Sequence, residues 1–259
     1  MRRVAMVAAG VVALWLVALV VLDAVLAARE ARHVRDRAAE ALHATASVGA
    51  ADLALVRGGL ELDQVAAHRD DAVGHLALEV GALTCDLPPL GAALVDGTCR
   101  ELAVSRVRLE VSTAAMFQLE HPRRAPLHAE RVVIDDAKLS FGPSAFVSGL
   151  GSISVAIDHA EAGSTVFRTP LSWVFALDTM VAHVELPGHF TFSFDYHDGS
   201  ITVVGFGGHV LGTAPVVLPN AALARDGHEE MVLLADAAEE IAARIVEQSV
   251  TDWVRERLR

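Results

Sequence analysis

The sequence lacks the short motifs that most often mark an enzyme or a metalloprotein. Its 12 histidines include no HExxH pair, and its histidines and 2 cysteines show no zinc spacing. No GxSxG elbow surrounds Ser152, and Val210 stands where a dinucleotide fingerprint begun at Gly205 and Gly207 would need its third glycine. Carboxylates are numerous but scattered, so no acid/base pair stands apart. We therefore expect no catalytic residue, no metal and no cofactor.

A basic surface is also lacking. Lys138 is the sole lysine, and the formal net charge is -12 at pH 7. A nucleic-acid partner requires a basic face, so the charge excludes nucleic acid as the expected partner. At 259 residues the chain is long enough to bury a core without metals or disulfides.

Charge is absent from the run between Val4 and Leu22. A helix over this run spans roughly 28 Å, about the thickness of a bilayer's hydrocarbon core. The run is apolar on all sides, which favours a transmembrane helix over a helix of a soluble core. The alternative is a cleaved signal peptide, with Arg2 and Arg3 as its n-region and Val25-Leu26-Ala27 at its cleavage site. The run is longer than the usual h-region of about 7–15 residues, which favours an uncleaved anchor.

The segment after the anchor has neither glycine nor proline as far as His43. Ala24 to His43 is rich in Ala, Arg, Glu and Leu, so we expect the helix to continue beyond the bilayer. Arginines flank the anchor on both sides, but long domains are exported largely regardless of such charges. We expect the N-terminus to lie in the cytoplasm and the main domain to lie on the other side of the membrane.

Beyond His43 apolar residues alternate with polar ones, as they do in half-buried strands. In the run from Leu102 to Val111 the alternation slips by one residue at Ser105-Arg106, which predicts a β-bulge. The other predicted strands are Ala51–Val56, Leu60–Val65, Leu76–Val80, Arg131–Asp135, Lys138–Phe141 and Gly151–Asp158.

The clearest predicted element is a hairpin around Asp198-Gly199, a strong two-residue turn signal. Folding there pairs Tyr196 with Ile201 and Phe194 with Val203, so that apolar side chains meet across the turn. Asp195, His197 and Asp198 are interpreted as solvated residues of this turn. One face of the hairpin then carries an apolar row, which consists of Phe190, Phe192, Phe194, Tyr196, Ile201 and Val203.

Two further helices are expected. Thr169-Pro170 reads as an N-cap followed by a first helical position, and apolar residues recur at helical spacing from Leu171 to about Ala182. A last helix runs from about Glu229 to Leu258, with acids in its first turn and arginines in its last. Its expected buried stripe consists of Leu234, Ala238, Ile241 and Ile245.

The two cysteines, Cys85 and Cys99, form a candidate disulfide. In an oxidising envelope a bridge that closes a loop of about 15 residues contributes about 3 kcal/mol. Two buried thiols are the alternative, and spacing alone does not decide between them.

The order of elements carries a resemblance to a known family. It consists of an apolar helix that continues as an amphipathic helix, then the short strands, the segment Leu87–Leu94, and the runs Leu102–Val111 and Leu127–Phe141. This order resembles that of the AsmA-like group of bacterial envelope proteins, which includes AsmA and TamB, over roughly residues 1–141. The resemblance implies a curved sheet that forms an apolar groove, hung from an inner-membrane helix and implicated in phospholipid movement. The apolar row of the hairpin would then be lipid-facing.

The expected fold is mainly β with flanking helices, in which a curved antiparallel sheet lies between a transmembrane helix and a C-terminal helix. The expected segments are a cytoplasmic tail 1–3, a transmembrane helix 4–22, an amphipathic helix 23–44, an AsmA-like β domain 45–228 and a C-terminal helix 229–259. The resemblance implies a single-pass location in the bacterial inner membrane, with the main domain in the periplasm. The expected partners are the bilayer, a phospholipid and an envelope protein. Lipid binding, lipid transport or outer-membrane maintenance is the expected function. The alternative is a membrane-tethered scaffold without a lipid ligand. An open apolar groove favours the first, and a filled core favours the second.

Overall fold

The structure is a computed structural model, and it describes residues 2–54, 58–72, 74–87, 98–112, 115, 128–142, 152–163, 178–186, 190–217 and 227–257. Within these ranges a long helix lies at each end of a β region. The elements are α1 Arg2–Leu42, β1 Thr45–Leu53, β2 Leu60–Asp70, β3 His75–Asp86, β4 Thr98–Val111, β5 His128–Phe141, β6 Ile153–Ala162, β7 Thr179–Leu186, β8 Phe190–His197, β9 Ser200–Phe206, β10 His209–Val210, β11 Val216–Val217 and α2 Gly227–Arg257.

The strands form one 11-stranded sheet, in which β1 to β10 lie side by side in sequence order and β11 pairs with β9. This confirms a mainly β fold with a helix at each end. The expectation of a wholly antiparallel sheet is wrong at one place, because β4 and β5 are parallel. The chain between Val111 and His128 is long enough to return to the starting end of β4, which parallel pairing requires.

A row of residues that the strand ladders leave out crosses β1 to β6, and three of these residues have an unusual backbone conformation. Gln64, Arg106 and Asp136 have φ angles of 53°, 56° and 52°, in the left-handed region. In each strand pair the ladder omits this row and resumes beyond it, for example from Val80↔Val107 to Ala82↔Ser105. We name the row the seam, and it consists of Gly49, Gln64, Gly81, Arg106, Asp136 and Asp158.

The seam changes which alternate residues face the core. Leu60 and Leu62 of β2 are buried on one side of the seam, and Val65 and Ala67 are buried on the other. The phase slip expected near Arg106 is therefore present, but the predicted β-bulge is wrong. No extra residue enters β4, because β3 slips in the same row and the register is equal on both sides of it.

The two faces of the sheet differ in chemistry. The inner face, which carries the core, is apolar from β2 to β8 and includes Leu62, Val132, Ile157, Ala182 and Phe194. The outer face carries most of the charged side chains of the same strands. Helix α1 packs along β1 and β2 and adds three buried side chains to the core, and α2 adds Ala237. The three from α1 are Leu26, Ala27 and Val34.

Two of the helix predictions need correction. The expected helix over 169–182 falls largely on residues outside those described, and its last residues belong to β7 instead. Met180, Ala182 and Val184 alternate as buried residues because β7 pairs with a strand on each side. In α2 the expected helix is confirmed, but Ala238 is exposed and Ala237 takes its place in the core.

The helix α1 is continuous through the predicted anchor and the predicted amphipathic segment. In the part of the chain that the structure describes, no helix is both long enough and apolar enough to cross a membrane. The side chains of residues 1–17, which make up most of the Val4–Leu22 run, lie outside the described part.

Candidate functional site

The hairpin of β8 and β9 has the register expected from its turn. Phe194 pairs with Val203 and Tyr196 pairs with Ile201. Asp198 and Gly199 have φ angles of 45° and 79°, as a two-residue turn of type I′ requires. His197 and Asp198 lie 3.2 Å apart and are both largely exposed, which is the solvated arrangement expected for this turn.

The structure places the described members of the apolar row inside the protein. Phe194, Tyr196 and Val203 are buried, whereas Phe192 and Ile201 are half-buried against the core. The side chain of Phe190 lies outside the described part. Burial raises the pKa of the Tyr196 phenol, and a backbone hydrogen bond from Gly199 opposes this effect. Phe194, Tyr196 and Val203 therefore contact protein atoms, and Phe192 and Ile201 are the described members of the row that stay partly exposed.

The cysteines form a disulfide between β3 and β4. Cys85 and Cys99 are both buried, and their Cα atoms lie 5.3 Å apart. Cys85 pairs with Leu60 and Leu102 in the ladder, so the bridge lies at the end of the sheet where β1 finishes. The bridge links the start of β4 covalently to the end of β3.

A chain of ion pairs crosses the outer face of β4, β5 and β6. Arg131 contacts Glu101 at 3.1 Å and Glu161 at 2.8 Å, and His159 contacts Asp135 at 2.6 Å and Glu161 at 3.2 Å. Hydrogen bonds to Asp135 and Glu161 raise the pKa of His159, and hydrogen bonds from Arg131 and His159 lower the pKa of Glu161. These side chains are partly exposed, so each pair contributes little to stability. The described residues contain no cluster of three or more possible metal ligands.

Two clefts open at opposite ends of the first strands. The smaller, of about 290 Å³, lies beside Cys85 and has Asp52, Glu61 and Asp86 in its wall. The larger, of about 450 Å³, lies where α1 turns into β1. We name it the distal cleft, and its wall consists of Ala39, His43, Ala44, Thr45, His68, Arg69 and Asp70.

Sequence reasoning missed Arg69. The strand expected at Leu60–Val65 ends before it, whereas β2 continues to Asp70. The signal that reveals it is the changed phase after Gln64, because Val65, Ala67 and Arg69 then share the inner face.

The comparisons with known proteins give no further assignment. No family model and no curated protein matches this chain. The AsmA-like resemblance therefore stays an expectation from the order of the elements.

Proposed function

We propose that this chain is a single-pass protein of the bacterial inner membrane whose β domain, exposed in the periplasm, binds lipid on its inner face. The observation that carries this proposal is an apolar face to which every strand from β2 to β8 contributes buried side chains. The opposite face of the same strands is charged. A sheet with this division holds an apolar ligand on one side while the other side meets water.

The helix α1 supports a location next to a membrane. It runs without a break from Arg2 to Leu42, and Leu26, Ala27 and Val34 are buried against the β domain. With Val4–Leu22 as the anchor, only a few residues separate the bilayer from the sheet. A lipid that leaves the bilayer then meets the domain within a short distance.

The width of the sheet limits how far this domain could carry a lipid. Neighbouring strands lie about 4.8 Å apart, and β11 adds no width because it pairs with β9 as β10 does, so ten strand positions extend the sheet by roughly 45 Å if it lies flat. A groove of this length holds or hands on a lipid beside one membrane. We do not assign it a bridge between two membranes.

A second candidate function is a membrane-tethered scaffold without a lipid ligand. Two observations favour it. The inner face is filled by side chains in this structure, and α2 exposes an apolar stripe at helical spacing. The stripe consists of Val246, Val250, Trp253 and Val254.

Photocrosslinking in membranes separates the two functions. Benzoylphenylalanine replaces half-buried Phe192 on the inner face or, as the matched control, its exposed neighbour Thr191 on the outer face. We expect lipid adducts at position 192 and none at position 191, detected by mass spectrometry. Folded protein without lipid adducts at position 192 would contradict lipid binding, and protein adducts at α2 positions would then support the scaffold.

A further inference from the structure

Arg69 is a charged side chain on the apolar face of the sheet. It follows Val65 and Ala67 on the inner side of β2, and it pairs across the ladder with Leu76, which is fully buried. Only 8% of Arg69 is exposed. A guanidinium so deeply buried normally has a partner for every donor, because an unpaired buried charge costs several kcal/mol.

Among the residues that the structure describes, two donors of this guanidinium have no hydrogen-bond partner. They are Nε and Nη2, and both are shut off from solvent. Asp71 Oδ2 lies 3.9 Å from Nε, which is too far for a hydrogen bond, and the Asp71 side chain is half exposed. The other oxygen of this carboxylate accepts a hydrogen bond from the Gly74 N–H at 3.2 Å. Asp71 thus supplies a neighbouring charge without satisfying either donor.

The two unpartnered atoms form one edge of the guanidinium. Their N–H groups are parallel, and this fork matches the spacing of two oxygens in a carboxylate or a phosphate. Arg69 also forms part of the wall of the distal cleft, beside Thr45 and His68. A turn of the Arg69 side chain toward this cleft therefore presents the fork to a ligand. Asp70 is the acid in the wall, and it is exposed.

The distal cleft lies at the end of the domain that is far from the predicted anchor. The turn at His43 and Ala44 makes α1 and β1 antiparallel, and the two pack together. Leu26 is roughly 25 Å back along α1 from this turn, at a rise of 1.5 Å per residue. Arg69 therefore lies at the end of the inner face that is far from the bilayer, and the disulfide lies at the end near the bilayer.

We propose that Arg69 binds an oxyanion at the distal cleft, and that this oxyanion is the phosphate or carboxylate headgroup of the lipid held on the inner face. The identification of the oxyanion as a lipid headgroup rests on the proposed function. The oxyanion site at Arg69 does not. If a lipid leaves the bilayer with its headgroup leading, the headgroup reaches Arg69 while the acyl chains lie along the inner face. Free phosphate shares the same chemistry and is the other possible source.

Calorimetry on the full-length chain in dodecyl maltoside, an uncharged detergent, tests this site. The probes are inorganic phosphate and dihexanoyl phosphatidic acid. The variants are Arg69→Met, which removes the charge, and Arg69→Lys, which keeps the charge but loses the fork. Arg100→Gln, at an exposed arginine on β4, is the matched control. We expect both Arg69 variants to weaken binding at least tenfold, and the control to leave it unchanged.

The two sources of the anion give different results. Phosphatidic acid that binds at least tenfold more tightly than phosphate supports the headgroup. Equal, Arg69-dependent binding of both supports a site for a free oxyanion and counts against lipid on the inner face. Lipid binding that does not change in either Arg69 variant overturns the inference and leaves the proposed function standing. Absence of binding by either probe overturns the inference as well.

The variant Asp71→Asn tests the alternative that Asp71 is the internal partner of the Arg69 guanidinium. If Asp71 is the true partner of Arg69, this change lowers the melting temperature, and phosphate shows no Arg69-dependent binding. Under our proposal it removes a competing carboxylate, so phosphate binding is retained or strengthened. The melting temperature of Arg69→Met provides the second readout. We expect it not to fall in the absence of ligand, because an apolar side chain replaces an unpartnered buried charge.

Discussion

Arg106 lies directly over Gly81 in the seam between β3 and β4. A Cβ atom built on Gly81 would lie 2.6 Å from Nε and 2.8 Å from Cβ of Arg106. The second distance involves an atom attached to the backbone, which no rotation of the side chain relieves. Gly49 and Gln64 repeat this arrangement between β1 and β2, at 3.0 Å from Cβ to Cβ. Glycine thus alternates with a left-handed residue where the seam crosses the first strands.

Gly81→Ala should destabilise the protein, because the new methyl group overlaps Arg106. We expect a loss of about 1–3 kcal/mol in denaturant unfolding, the usual cost of overpacking. Gly59→Ala is the matched control, since no atom of the described residues lies within 4 Å of its built Cβ. Adding Arg106→Gly should restore stability to Gly81→Ala, because glycine adopts the left-handed conformation of Arg106 without strain. Equal effects of the two alanine variants would show that Arg106 does not pack on Gly81.

Loss of the disulfide should also lower stability. Cys85→Ala combined with Cys99→Ala opens a loop with a sequence separation of 14, for which chain entropy alone gives about 3 kcal/mol. Thiol labelling of denatured, non-reduced protein checks the bridge itself. We expect no free thiol before reduction, and two free thiols would place the domain in a reducing compartment.

A new charge on the β8–β9 hairpin should destabilise the protein only where the substituted side chain is buried. Phe194→Asp buries an unpaired carboxylate beside Val203, so we expect a loss of at least about 3 kcal/mol. Thr191→Asp, on the exposed face of the same strand, should stay within about 0.5 kcal/mol. Thermal melts of both variants measure the difference. A folded Phe194→Asp domain of near-normal stability would mean that water enters the interior, as an open groove requires.

The outer ion pairs predict a pH dependence of stability. His159 has a raised pKa in the folded state, so its contribution is full below its ordinary value of 6.5 and is lost as the pH rises through the raised value. Glu161 has a lowered pKa, so its contribution is full above 4.5 and is lost in more acidic solution. We expect the melting temperature to fall slightly as the pH rises above about 6.5, and His159→Gln to reduce this slope. His197→Gln, at a far more exposed imidazole, is the control, and the same change in slope there would rule out His159 as the cause.

The anchor is testable by fractionation. The full-length chain should sediment with membranes and resist extraction by alkaline carbonate, because Val4–Leu22 carries no charge and a helix of this length spans roughly 28 Å. The N-terminal sequence of the mature protein provides the second measurement. An N-terminus near Ala28 would overturn the anchor and leave export of the β domain standing.

Local signals were enough to identify most of the elements. The continuous helix through residue 42 follows from the charge-free run and from the absence of glycine and proline after it. Most strands beyond it follow from alternation, and the last helix follows from helical spacing of apolar residues. The pairing of Phe194 with Val203 was predictable because a two-residue turn sets the register of the strands on either side of it.

Contacts between distant segments decided the rest. Whether residues near Met180 formed a helix or a strand depended on having β6 and β8 as neighbours, which no local window contains. The parallel pairing of β4 with β5 depended on where a long connection returned. The burial of Arg69 depended on Gln64, whose left-handed backbone changes which residues of β2 face the core. Gln64 lies opposite Gly49 and Gly81 on the two neighbouring strands. The sequence by itself determined the kind and order of most elements, because periodicity and turn chemistry are local. The tertiary structure alone decided which charged side chain lies on the apolar face, because a change of phase holds only when neighbouring strands change in the same row.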